Sequence, residues 1–317
     1  MKKAILLGSL AIALTACSNN DESTAIDTGN NGQALFSASI EGQNKTRAYD
    51  RTWEEDDQIG ITGTSGDKTY TNVAYGTDGN AAGNFSPVDT PIYYQDDNTV
   101  NFTAYYPRKN LAAGTTTIAA DTWKQADQKS FDFLYATGQG SKQNFNVAFL
   151  FSHKMAKLAL TIKKGSDITF NDVTAADLSL GNFMHTGTFN VTAGTTKTDG
   201  DRTEEWQFAN NEGDAGYNAP SVQNTENETV TYTLILFPQE FESSLPFIAN
   251  LPSGQTLSAE LDFIAANENA GDIAPKNEWV AGRQYNMSVT LNKTSITVNG
   301  CTITGWTQVD GGEVYAD

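Results

Sequence analysis

The chain of 317 residues has only two cysteines and two histidines. Cys17 closes a short N-terminal apolar run and is expected to carry lipid, which would leave Cys301 without an internal disulfide partner. A chain of this length must then be held by packed cores alone. His153 and His185 are too few for a three-histidine zinc site, and neither has a Cys or His at ligand spacing. Basic residues are also scarce, 20 Lys and Arg against 38 Asp and Glu, for a formal charge of -18. Such a balance excludes the basic patch that nucleic acid requires, and no nucleic-acid partner is expected. No Walker loop, HExxH or GxSxG motif occurs. Ser65-Gly66-Asp67-Lys68 matches SxxK in spacing only, because its companion SDN and KTG motifs are missing. No long apolar run is present either. The longest, Ala4 to Ala16, falls short of the roughly 20 residues that cross a membrane.

That short run carries the first positive signal. Lys2 and Lys3 precede it, and Leu14-Thr15-Ala16-Cys17 closes it. Residues 1–16 read as a cleaved signal peptide of the bacterial lipoprotein type. The Cys17 thiol is suited to a thioether with diacylglycerol, and two or more acyl chains anchor a protein stably at a membrane. Loss of Lys2 and Lys3 would move the formal charge two units further, to -20. Residues 17–33 are rich in Asn, Asp and Gly and read as a flexible tether.

After the tether, alternation takes over. Phe36, Ala38 and Ile40 share one face of a segment whose other face is Ser37, Ser39 and Glu41. The same period of two recurs in Val100–Tyr106, Ala156–Ile162, Val230–Leu236 and Tyr285–Leu291. It predicts half-buried strands, with Lys157, Thr161 and Lys163 facing outward in the third. Asn299-Gly300 between alternating residues predicts a type I′ turn and a tight hairpin over Thr294–Trp306. Short strands broken by Gly, Asn and Asp suggest an all-β fold. The length suggests about two domains, placed at 34–165 and 166–317 around the polar stretch at Lys163–Asp167.

Individual polar groups point to little chemistry. Glu54-Glu55-Asp56-Asp57 and Asp96-Asp97 lack EF-hand spacing and read as solvated turns. His153 reads as a structural residue starting a strand, and Cys301 as a small buried hydrophobe. Trp53, Trp123, Trp206, Trp279 and Trp306 are scattered, with core packing the default and a sugar platform the alternative. No cofactor or metal is expected, and no nucleophile–base pair singles out an enzyme.

Several segments in order resemble the fimbrillin-like surface proteins of Bacteroides-type bacteria. They are Thr46-Arg47-Ala48, Trp53 through Ile61, the Phe102-Thr103-Ala104-Tyr105-Tyr106-Pro107 strand, Asp132 through Ala136, Phe151 through Leu158, Phe237-Pro238-Gln239, Ala281 through Tyr285, and Ile303-Thr304-Gly305-Trp306. The resemblance implies two transthyretin-like Greek-key β-sandwich domains in tandem. It further implies a lipid-anchored outer-membrane precursor and a structural role in pili, without enzymatic activity. An arginine-specific protease would cut between Arg47 and Ala48, removing the anchor and the strand Ala34–Ile40. That strand spans about 23 Å at about 3.3 Å per residue. Another pilin subunit would fill the vacated groove by β-strand addition, and the fimbria would adhere to a host or bacterial surface ligand. The segment after Trp306 offers only Val309, Val314 and Tyr315 as apolar points, a poor donor strand. The alternative is a glycan-binding surface lipoprotein that does not assemble.

Overall fold

A computed structural model describes residues 31–41, 53–79, 83–210, 218–264 and 277–306. The signal peptide, nearly all of the tether, Cys17, Arg47 and Ala48 lie outside the described residues.

The first eight strands are β1 Leu35–Ile40, β2 Glu55–Ser65, β3 Lys68–Asp78, β4 Asn84–Pro87, β5 Val100–Tyr106, β6 Thr117–Asp121, β7 Leu134–Gly140 and β8 Asn146–His153. Seven of them close into a barrel in the order β1-β4-β3-β2-β5-β7-β8, and β6 stands apart. A tight turn with Gly66 at φ +55° joins β2 to β3. Gly tolerates that left-handed conformation because it has no Cβ. Inward residues of the seven strands form an aromatic first core, with Phe36, Tyr75, Phe102, Phe149 and Phe151 each nearly or fully buried.

The chain continues as β9 Ala156–Lys164, β10 Asp177–Leu180, β11 Thr186–Asn190, β12 Thr195–Asp199, β13 Trp206–Ala209, β14 Ser221–Asn224 and β15 Thr229–Leu236. It ends with β16 Gln239–Glu240, β17 Leu245–Asn250, β18 Thr256–Leu261, β19 Glu278–Trp279, β20 Arg283–Leu291 and β21 Ile296–Gly305. One sheet runs β14-β15-β9-β20-β21 and another β13-β10-β17-β18. Both contribute to a second core built around Leu160, Leu178, Trp206, Phe247 and Trp279. The fold is all-β, with sheets stacked sandwich-fashion, as the alternating segments predict. All five of those segments are strands. The expected boundary at residue 165 falls directly after β9, whose hydrogen bonds run to β15 and β20 and so into the sheet of the C-terminal half.

A third core fills the space between the other two. It gathers Tyr105, Phe131 and Phe133 from before β8 with Phe189, Ile235, Phe237 and Trp306 from after it. Over it, β6 pairs with β11, joining strands from both halves. Beyond the end of β14, the edge of β15 is completed by a side chain. Gln125 donates Nε2 to the Ile235 carbonyl at 2.9 Å and accepts the Ile235 N–H on Oε1 at 2.9 Å. Its neighbour Gln128 donates to the Thr233 carbonyl at 2.7 Å. The two glutamines substitute for a missing strand, and buried backbone groups are thereby satisfied.

Three local expectations are corrected. Asn299-Gly300 is not the hairpin turn. The turn is Asn292–Ser295, closed by Asn292 N–H to the Ser295 carbonyl at 2.9 Å, and Asn299 sits in a bulge within β21. Gly300 takes φ +126° there, and Asn299 Nδ2 donates to Thr290 Oγ1 at 2.9 Å. An Asn-Gly pair therefore served a bulge, which also needs special backbone angles. Lys157, expected outward, is 2% exposed, because Trp306 covers it with its ring 5.7 Å from the ammonium. The period of two assigned its face correctly but could not register a third layer on that face. His153 ends β8 rather than starting a strand. It pairs Nδ1 with Asp132 Oδ1 at 2.9 Å and stacks on Trp306 with centroids 3.9 Å apart.

Candidate functional site

β1 is the strand that closes the first barrel. It runs parallel to β8 over six residues, from Leu35 opposite Asn146 to Ile40 opposite Phe151. On its other side it meets β4 antiparallel at Phe36–Phe85 and Ser37–Asn84. Backbone N–H groups of Ala34, Leu35, Ala38 and Glu41 donate to the carbonyls of Ile92, Phe145, Gly83 and Phe151 at 2.8–2.9 Å. β1 thus lies between two strands that are both far from it along the chain.

Alternation places Ala34, Phe36, Ala38 and Ile40 inward, all 7% exposed or less, while Leu35 is 41% exposed. The Phe36 ring lies in an aromatic box. It stacks on Phe149 at 5.6 Å and meets Tyr75 and Phe102 edge-on at 4.8 and 5.3 Å. Burying Phe36 and Ile40 contributes about 1.5–3 kcal/mol each. Trp53 forms the floor near Ala38. Its indole N–H donates to the Ala38 carbonyl at 2.9 Å, and its ring meets Phe85, Tyr106 and Phe151 edge-on. Gly83 brings β4 close to β1. At φ +60°, a Cβ there would collide with the Ala38 carbonyl oxygen.

The groove ends in a cavity of about 130 Å³ beside Ile40 and Trp53. Its charged wall is Glu54, Asp57, Lys129 and Asp132. Asp57, expected in a solvated turn, is 6% exposed. It accepts from Tyr106 Oη at 2.9 Å and pairs with Lys129 Nζ at 2.9 Å. Asp56 at φ +70° and a register shift between Glu55 and Gln58 turn Asp57 inward. Burial, and then the Asp57 carboxylate, push the Tyr106 hydroxyl far above its ordinary range. Burial likewise pushes Tyr75, in the wall of the ring box, up to about 12. Both phenols stay neutral: Tyr106 donates to Asp57, and the Tyr75 hydroxyl accepts the Ile92 N–H at 2.8 Å.

Of the residues singled out in the sequence, the described ones bring together the strand Ala34–Ile40 and Trp53, while Cys17, Arg47 and Ala48 lie outside them. Sequence reading missed Gly83 and the floor role of Trp53. The first had no sequence signal beyond a Gly before a short strand. For the second, the Trp–Ala38 bond exists only once β1 is seated. Trp53, Trp206, Trp279 and Trp306 are buried, and Trp123 is partly buried against His185 at 4.7 Å. Ser65 of the SxxK match is buried at the end of β2 and accepts from Gln95 N–H at 2.8 Å.

The family model described as fimbrillin-like matches residues 46–306. A Bacteroides uniformis protein described as a candidate fimbrium subunit, Fim1C, is 29% identical, with 98% of each chain covered. Among solved structures, a candidate cell adhesion protein from Bacteroides uniformis is similar at 27% identity and TM-score 0.67, covering 87% of this chain and 100% of that one. Another from Bacteroides ovatus, at 23% identity and TM-score 0.66, covers 88% of this chain and 99% of its own, and shows the shared fold.

Proposed function

This chain belongs to the fimbrillin-like family, and from that premise we propose that it is a subunit of a cell-surface fimbria assembled by strand exchange at the β1 groove. The precursor is held at the outer membrane by acyl chains on Cys17. An arginine-specific protease cuts between Arg47 and Ala48, and β1 leaves with the anchor. The open edges of β4 and β8, and the apolar slots between them, then take a strand from another pilin subunit. Backbone hydrogen bonds give affinity and the slots give register. The mature subunit contributes to adhesion to a host or bacterial surface ligand. Its two domains are read around the two large cores, with the third core across their seam.

One observation carries this reading. The barrel closes through a strand that lies before Arg47 in sequence, and that pairs with β8 more than a hundred residues later. A single cut in the segment after it detaches that strand and no other described one.

Incubation of the full chain with an arginine-specific protease, followed by mass analysis and sizing, tests the proposal. The expected result is loss of residues through Arg47 and formation of oligomers. A cut protein that stays monomeric at high concentration overturns strand-exchange assembly. Mass analysis of the N-terminus on cells separates the two states: lipidated Cys17 for the anchored form, free Ala48 for the assembled one.

A further inference from the structure

The walls of the β1 groove differ from slot to slot, and the differences specify what can replace β1. The ladder partners on β8 are not equivalent. Phe36 lies beside Val147, Ala38 beside Phe149, and Ile40 beside Phe151. The second slot is a ring box, made by Tyr75 of β3, Phe102 of β5 and Phe149 of β8. The third slot is narrow. Phe149 stands beside it, the Trp53 indole is hydrogen-bonded to the backbone there, and Gly83 holds β4 close. The fourth is bounded by Phe151, Trp53 and the end cavity. The first holds Ala34, fully buried, with its N–H on the Ile92 carbonyl.

Resting on the strand-exchange reading above, we infer that the groove selects a partner strand whose four inward residues run small, aromatic, small, aliphatic from N to C, parallel to β8. Register follows from the same walls. A slip of one residue turns the polar face inward. A slip of two drives the ring into a slot sized for a methyl group and leaves the ring box empty. The Trp53 indole adds a backbone mark, since its N–H needs a carbonyl at the third slot. In this chain's own tail, Gly312, Val314 and Ala316 alternate as small, large, small, but set a valine where the ring box stands. The groove therefore ranks an aromatic-bearing strand from a different subunit above that tail.

The test uses the full chain cut within residues 42–52, at Arg47 or, failing that cut, at an inserted site for a sequence-specific protease, and then stripped of β1. The labelled probe is the peptide Gln33–Glu41, QALFSASIE, and its binding is read by anisotropy and by Trp53 emission. The Phe36→Ala peptide is expected to bind about a hundredfold to a few thousandfold more weakly, the fold-change that matches loss of a packed ring. The Ala38→Phe peptide is expected not to bind. A peptide with the outward change Ser37→Lys is expected to bind like the parent, and the tail peptide Asp310–Asp317 far more weakly. Equal binding by all of these overturns the selectivity while leaving the open groove intact. Tail binding as tight as the parent overturns the aromatic requirement. No binding by any peptide, the parent included, overturns the groove reading together with the selectivity.

Discussion

The two large cores are closed in different ways. The second takes its strands from β9 onward, with the side chains of Gln125 and Gln128 completing the edge of β15. The first takes a wall from β1, which is joined to the next strand through a segment containing an arginine next to Ala48. Under the proposed cut at Arg47, the barrel would lose that strand and open, whereas the second core would keep all of its strands. The third core joins residues of both halves, Tyr105 and Phe133 with Phe189 and Trp306, and Gln125 bonds the Ile235 backbone beside it.

Substitutions of equal size in the two cores should break this symmetry most strongly. Phe36→Ala and Phe247→Ala are each expected to cost about 3–5 kcal/mol in denaturant unfolding. Only Phe36→Ala should also speed cutting at Arg47, because it loosens β1 while the second core stays closed. Equal cutting rates in the two variants would contradict the distinction.

Gly83→Ala should act on the first core from its backbone. It puts a Cβ at φ +60° against the Ala38 carbonyl, and strain of this kind costs about 1–3 kcal/mol. It too should raise the cutting rate, whereas Gly254→Ala, also at positive φ but with open space around it, should not.

Gln125→Ala probes the join. The Ile235 N–H and carbonyl both lose their side-chain partner, and a buried unsatisfied group costs about 1–3 kcal/mol. The expected outcome is a lower Tm, read by calorimetry, with Gln125→Glu rescuing only the N–H bond.

The smallest effect concerns Cys301 on β21, the edge strand of the second core's sheet. Burial pushes its thiol up to about 12. Alkylation should therefore be slow at pH 8 and rise with pH toward 12, since only the thiolate reacts. Cutting at Arg47 should leave that rate unchanged. Acceleration on cutting would mean that β21 leaves β20 when β1 leaves, and that the second core is not independent.

How much of this was legible in the sequence depends on range. Strands with a clean period of two, such as Val230–Leu236, were readable because each residue's face follows from its own position. The strand Ala34–Ile40 was readable as amphipathic, but not its neighbours, since parallel pairing with β8 leaves no local trace. Asn299-Gly300 misled because a bulge and a turn need the same backbone angles. Lys157 misled because the layer over it comes from Trp306, far along the chain. Trp53 could be read as a core residue, while its bond to the Ala38 carbonyl depends on where β1 lies.

Hydrogen exchange on the chain cut at Arg47 and stripped of β1 is the most direct measurement of the central claim. Protection is expected to fall in β4 and β8 and to persist in β9, β15 and β20, with the loss reversed when the peptide Gln33–Glu41 is added. Protection that stays unchanged in β4 and β8, or that collapses through all five strands, would contradict it.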